Sequence, residues 1–163
     1  MKTQFITDKP EIESLINSCQ ACVVSMCDTN GNPYAIPMNF AYKNDILYLH
    51  SAQEGNKIEC LKQNPNVCIT FVHNTQELVY HDVEMPCSYS MRSRSAIAFG
   101  RVNFVEDLHE KESAFQIFMS HYSDRTFKFG IPALKHVKVW KVEITDITAK
   151  RFGLRQQDIL PNK

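Results

Sequence analysis

Residues 21–42 read ACVVSMCDTNGNPYAIPMNFAY and contain two strand-like runs around a tight turn. The run before Asp28 is apolar and includes β-branched residues, which favours a strand. Asn30-Gly31 is typical of a β-hairpin turn, so a second antiparallel strand should follow. Pro37 lies inside that second strand, where it has no N–H to donate to a neighbouring strand. We therefore expect Pro37 at a sheet edge, at a bulge, or where something other than a strand approaches.

The rest of the chain consists of strand-like runs with a few helix-like ones between them. Four further strand-like runs follow the hairpin: 46–50, 66–72, 95–106 and 137–148. Apolar residues at helical spacing predict helices within 8–19, 56–63 and 106–122. Residues 73–94 lack a clear period, and we expect an excursion that returns to the sheet edge or covers a pocket. About six antiparallel strands with helices outside them favour a small, mainly β barrel.

Length and charge narrow the class of protein. The 163 residues suit a single domain spanning 1–163, with an N-terminal helix in 1–20 and a C-terminal tail in 151–163. The 18 basic and 18 acidic side chains cancel, so no global field would attract nucleic acid or anionic lipid. No apolar run approaches the roughly 20 residues of a membrane span, and the N-terminus resembles no targeting peptide. We expect a cytoplasmic protein without nucleic-acid or membrane partners.

The six cysteines lie mostly in apolar runs, which predicts that most of them are buried thiols rather than parts of disulfides. Cys68, His73, His81 and Cys87 are the alternative, as ligands of a metal ion. Their spacing is irregular for a metal site, so we predict no metal.

A candidate site lies at residues 47–58, which read LYLHSAQEGNKI. A strand ends there and a helix begins near Gly55, and free N–H groups at a helix N-terminus favour anions. Ser51 can add a hydroxyl. Lys57 falls in the first helical turn, where its charge opposes the helix dipole unless an anion lies nearby. The alternative is a solvated lysine beside a turn glycine, because the pattern covers only three residues.

Three segments together resemble a known family: GNPYAIPMNFAY (31–42), LYLHSAQEGNK (47–57) and SRSAIAFGRV (93–102). They are similar, in the same order, to segments of the pyridoxamine 5'-phosphate oxidase-like FMN-binding split barrels. The branch that includes nitroimidazole-resistance reductases is the most similar. The likeness extends from about Gln20 to Lys150. It implies a split β-barrel of Greek-key strands and a homodimer with FMN in a groove between the protomers.

The resemblance also implies which residues contact FMN. Pro37, Met38, Asn39 and Phe40 would run along the isoalloxazine, which offers a reason for a proline inside a strand.

The remaining contacts would come from other strands and from the 47–58 segment. His50 and Ser51 would lie beside the flavin and its ribityl chain, and Lys57 would neutralise the phosphate, with Arg94 and Ser95 as further candidates. Trp140 on the last strand would reach the flavin of the partner subunit; the alternative for this lone tryptophan is a place in the core.

These expectations define two candidate functions. The first is an FMN-dependent oxidoreductase, in which NADH or NADPH binds transiently and a small nitroaromatic or quinone accepts the electrons. His50 would be its catalytic residue, because imidazole can donate or accept a proton near neutral pH. The alternative is a non-catalytic module that holds flavin or haem, with His50 or His73 as an axial ligand.

Overall fold

A computed structural model describes residues 2–154 of the chain. Most of the predicted C-terminal tail, residues 155–163, lies outside the described residues. The described part is mainly antiparallel β-sheet with a few helices. The strands are β1 (Lys2–Ile6), β2 (Cys22–Cys27), β3 (Pro33–Met38), β4 (Ala41–Lys43), β5 (Ile46–Ala52), β6 (Asn66–Val79), β7 (Ser90–Val105) and β8 (Val137–Leu154). The helices are α1 (Lys9–Asn17), α2 (Asn56–Gln63), α3 (Leu108–Ser120) and α4 (Ile131–His136).

The sheet has eight strands where the sequence predicted about six. Its order is β3-β2-β6-β7-β8-β5-β4, with β1 paired to β8. One extra strand is β1, and the other arises because the predicted 33–42 strand breaks into β3 and β4 at residues 39 and 40. Pro37 lies on β3 at an end of this order, opposite Val23 of β2. The predicted edge position of Pro37 is thus confirmed.

The predicted excursion at 73–94 is mostly strand. β6 continues to Val79 and β7 begins at Ser90, so the sheet extends well into the segment. Between them lies one short 3-10 helix, Pro86–Ser88. Sequence analysis missed the second half of β6 because that half is exposed on both faces and therefore shows no alternation of apolar and polar residues.

The described residues form two compact units. The first unit contains residues 2–19, 71–97 and 148–154, and β1 pairs there with the end of β8. Arg151 binds Glu11 and Gln4 within this unit. The second unit contains residues 20–70 and 98–147, and every residue of the 47–58 candidate site belongs to it.

Local features of the second unit follow from specific residues. In the hairpin, the Asp28 carboxylate accepts from the N–H groups of Asn30 and Asn32, and Gly31 has the positive φ of 80° that the turn requires. At Gly100, a Cβ would lie 2.5 Å from the Glu143 carbonyl oxygen, so only glycine fits this approach of β7 and β8. The predicted helix at 106–122 is α3, whose N-cap Asp107 accepts from the Glu110 N–H.

Two predictions concern the whole set of described residues. Within residues 2–154, no helix is long and apolar enough to cross a membrane. None of the six cysteines forms a disulfide; Cys19, Cys22 and Cys60 are buried and Cys68 is half-buried. Cys27 and Cys87 are exposed, so the thiols are buried or half-buried at four of the six positions.

Candidate functional site

The corner predicted at 47–58 forms as a strand, a short turn and a helix. β5 carries His50 and Ser51 at its end, and α2 begins at Asn56 after Gly55, whose φ is 118°. The Ser51 hydroxyl donates to the Ala52 carbonyl at 2.7 Å, and its oxygen lone pairs stay available as acceptors. His50, Ser51 and Lys57 are therefore held on consecutive elements of one unit.

The N-terminus of α2 is uncapped by side chains. The Gly55 carbonyl accepts from the N–H groups of Ile58 and Glu59 at 2.9 and 3.2 Å, but no side chain caps this end. The Lys57 amino group lies 3.6 Å from the position a Cβ on Gly55 would take, so the side chain turns back toward the helix start. In residues 2–154 the Lys57 side chain has no hydrogen bond or ion pair. Free N–H groups, a positive dipole end and an unpaired ammonium make this corner suited to a phosphate.

Residues 37–40 form the end of the edge strand and the bend into β4. Pro37 and Asn39 are exposed, Met38 is half-buried, and the Phe40 side chain is fully buried. Phe40 is therefore not exposed in this unit, and its contact with a flavin stays a prediction. Because Pro37 has no N–H, a further strand could not pair fully with this exposed edge.

His50 is half-buried in an aromatic environment. Its ring lies 4.7 Å from Phe118 and 5.3 Å from Phe115, measured between ring centroids. Its Nδ1 atom is buried and has no hydrogen-bond partner among the described residues. Burial lowers the pKa of His50 below its usual 6.5, so the neutral imidazole predominates near pH 7. A narrow pocket beside His50, between β5, β8 and α3, is too tight to hold a water molecule.

Trp140 lies inside the core of the second unit. It is 0% exposed and sits opposite Leu49 in the β5–β8 pair, with Phe104 at 6.1 Å between ring centroids. Its Nε1 has no hydrogen-bond partner in the part of the chain that the structure describes. Its burial agrees with the core role that was the alternative for this residue, and its contact with a flavin stays a prediction.

Arg94 and Ser95 belong to the first unit, where both are half-buried on β7. In residues 2–154 the Arg94 guanidinium has no carboxylate partner. Burial raises the pKa of the Cys19 thiol, while a hydrogen bond from Ser18 and the charge of Arg94 oppose that rise. The His73 Nδ1 atom lies 3.0 Å from the Ser18 Oγ in the same unit. Arg94 is thus free to bind an anion, and its role stays a prediction.

Sequence reasoning missed the side chains that α3 and its C-terminal end bring to the site. Phe115 and Phe118 enclose His50, and the Tyr122 ring packs on Phe118 at 5.3 Å. The Tyr122 hydroxyl accepts from the Phe40 N–H at 2.9 Å. The apolar spacing of α3 predicted a buried face, but nothing in the pattern indicated that a tyrosine would reach the backbone 82 residues earlier.

Comparison with known families decides the identity of the fold. The family model for pyridoxamine 5'-phosphate oxidase matches residues 8–151, nearly the whole chain. This chain belongs to the pyridoxamine 5'-phosphate oxidase family. The family expected from the three sequence segments is therefore confirmed.

Solved structures agree with the family assignment. A candidate 5-nitroimidazole antibiotic resistance protein from Bacteroides thetaiotaomicron is 51% identical, covering 92% of this chain and 87% of its own, with a TM-score of 0.83. A FAD-binding protein from Mesorhizobium loti has 19% identity and a TM-score of 0.67, over 93% of this chain and 99% of its own. A FAD and haem binding protein from Mycobacterium smegmatis has 17% identity and a TM-score of 0.73, over 93% and 73%. Curated proteins gave no significant match.

These likenesses confirm the split-barrel fold for this member of the oxidase family. The donor set at the corner also fits the phosphate of a flavin mononucleotide, because among the described residues the α2 start has no side-chain cap and Lys57 has no ion pair. The tight pocket beside His50 has no room for a flavin ring.

Proposed function

We propose that this protein binds FMN and is an NADH- or NADPH-dependent oxidoreductase for small electron acceptors of the nitroaromatic or quinone type. The observation that carries the proposal is the α2 corner, where the helix start has no side-chain cap and Lys57 has no ion pair within residues 2–154. Such an arrangement is unfavourable for the helix alone and favourable when a phosphate is bound. Membership of the pyridoxamine 5'-phosphate oxidase family and 51% identity to the Bacteroides protein support this proposal.

The residues of the second unit would each have a distinct part in holding FMN. Lys57 and the first N–H groups of α2 would bind the phosphate. Ser51 would accept a hydrogen bond from the ribityl chain, because its own proton is donated to Ala52. The exposed edge at Pro37 and Asn39 would support the ring. When bound, FMN supplies hydride acceptance from nicotinamide and electron transfer to the second substrate.

His50 would handle the proton that reduction of the second substrate requires. Its lowered pKa keeps the ring neutral near pH 7, with one nitrogen able to donate and the other to accept. Its Nδ1 atom is buried and has no partner among the described residues, so the other ring nitrogen, Nε2, would be the one that meets the substrate. His50→Gln should lower turnover of the second substrate more than it weakens FMN. Undiminished turnover would remove His50 from the mechanism.

We further propose that the protein acts as a homodimer with FMN between two copies. The exposure of the Pro37 and Asn39 edge supports this, because a second copy would cover a ring that lies there. Sedimentation velocity of the FMN-loaded protein should give the mass of two chains. A monomer that binds FMN tightly would contradict the shared site.

Anaerobic addition of NADH or NADPH to the FMN-loaded protein tests the enzyme proposal. We expect the visible flavin absorbance to bleach with at least one nicotinamide and to return when a nitroaromatic or quinone is added. Bound flavin that neither nicotinamide reduces would favour a storage or sensing module. A Soret band in the isolated protein, with no flavin bands, would favour the haem-binding alternative.

A further inference from the structure

Tyr122 makes an unusual set of hydrogen bonds in the second unit. It lies two residues after α3, and its hydroxyl reaches the bend between β3 and β4. The Phe40 N–H donates to its oxygen at 2.9 Å, and the same oxygen lies 2.9 Å from the Phe40 carbonyl and 3.0 Å from the Gln20 carbonyl. One hydroxyl therefore takes the place of a strand neighbour for Phe40. Without it, the N–H of a fully buried residue would lose its partner.

A second hydrogen bond holds the bend between β3 and β4. The Asn39 amide donates to the Gln20 carbonyl at 3.0 Å, the same acceptor that Tyr122 uses. Residues 39 and 40 are therefore held against the start of β2. These hydrogen bonds therefore fix the backbone at the end of the exposed edge that begins at Pro37.

The Tyr122 ring also connects this bend with His50. Tyr122 packs on Phe118 with 5.3 Å between ring centroids, and Phe118 packs edge-on against His50 at 4.7 Å. These contacts use the ring, whereas the hydroxyl makes the hydrogen bonds to the Phe40 backbone. Removing the hydroxyl alone therefore tests the backbone contact without disturbing the aromatic packing.

We propose that Tyr122 is a positioning residue for the flavin: by holding the backbone of Phe40, its hydroxyl fixes the adjoining exposed edge at Pro37 and Asn39, along which the isoalloxazine would lie. This inference rests on the proposed FMN function. It assigns Tyr122 no contact with the flavin and no part in proton transfer. Its effect passes through the backbone of the bend.

The variant Tyr122→Phe tests this role, with Tyr42→Phe as a matched control. Tyr42 also loses one hydroxyl contact, its hydrogen bond to the Asp45 carboxylate at 2.9 Å, at the β4–β5 turn. We expect Tyr122→Phe to raise the Kd for FMN about tenfold. A net hydrogen bond contributes about 1 kcal/mol, and a loss of about that size weakens binding by roughly this factor. We also expect a changed visible circular dichroism spectrum of the bound flavin. Tyr42→Phe should leave both unchanged.

The outcomes separate the inference from the proposed function. If wild-type protein fails to bind FMN, the proposed function fails and this inference with it. If wild-type protein binds FMN, and Tyr122→Phe lowers only the unfolding temperature while Kd and the flavin spectrum stay as in wild type, the function stands and the positioning role is overturned.

A measurement on wild-type protein covers the case in which Tyr122→Phe does not fold. Hydrogen exchange of the Phe40 amide should be slow without FMN, because Tyr122 protects it, and slower still with FMN. Fast exchange in the free protein, or no change when FMN is added, would overturn the inference.

Discussion

Replacing Lys57 by methionine tests two effects of this residue separately: its effect on the free energy of unfolding and its effect on the Kd for FMN. Lys57 lies in the first turn of α2 with its amino group near Gly55, and it has no ion pair within residues 2–154. A positive charge at a helix N-terminus costs about 0.3–1 kcal/mol. Methionine keeps the side-chain length and removes the charge. The free energy of unfolding of FMN-free Lys57→Met should therefore rise by about 0.3–1 kcal/mol, measured by urea denaturation.

The same variant should bind FMN more weakly. A charge-assisted hydrogen bond contributes about 1.5–3 kcal/mol, and the half-exposed position of Lys57 places it near the lower limit. A loss of about 1.5 kcal/mol raises the Kd roughly tenfold. Riboflavin lacks the phosphate, so its Kd should not change. Isothermal titration calorimetry with both ligands measures the difference.

Lys62→Met is the matched control, because it removes a lysine from the other end of the same helix. Lys62 lies in the last turn of α2, where its charge suits the dipole, and it pairs with Glu59 at 3.0 Å on the surface. Its loss should lower the free energy of unfolding by about 0.2–0.5 kcal/mol and leave both Kd values unchanged. Equal weakening of FMN and riboflavin by Lys57→Met, or a loss of stability, would refute the phosphate role.

Two further predictions concern Gly100 and His50. Gly100→Ala should lower the free energy of unfolding by about 1–3 kcal/mol, because its Cβ would meet the Glu143 carbonyl at 2.5 Å, whereas Gly130→Ala, with 3.7 Å of clearance, should change it by less than about 0.5 kcal/mol. Similar losses in guanidinium denaturation would contradict the close approach. His50 should titrate below 6.5 by NMR. Its neutral form stabilises the fold above the unfolded pKa, so wild type should lose more stability than His50→Gln as pH falls from about 7 to 5; parallel pH profiles would argue against a buried neutral ring.

Local patterns predicted the parts of the fold that depend on neighbouring residues. The hairpin followed from Asn30-Gly31, and the edge position followed from Pro37, since each is a property of one or two residues. The α2 start at Asn56 followed from a short run as well. β1 was missed because Lys2–Ile6 is largely exposed and pairs with the end of β8, almost the whole chain away. A repeating pattern within residues 2–6 cannot indicate a strand partner so far away in the sequence.

The site shows the same division. Lys57 and His50 were identified from the order of strand, turn and helix, and from a family likeness. The break at Phe40 was missed because the partner of its N–H is a hydroxyl 82 residues away. The burial of Trp140, by contrast, agrees with the alternating pattern of β8, in which Trp140 and Val142 alternate with Lys141 and Glu143. Contacts between distant segments depend on packing that the order of residues does not display.

The central claim is that this member of the oxidase family holds FMN by its phosphate at the start of α2. Equilibrium titration of the wild-type protein with FMN and with riboflavin, followed by flavin fluorescence, tests it most directly. The account predicts saturable binding of one FMN per chain, with riboflavin binding at least tenfold more weakly because it lacks the phosphate. Equal affinities for the two ligands, or no saturation at a large excess of FMN, would contradict it.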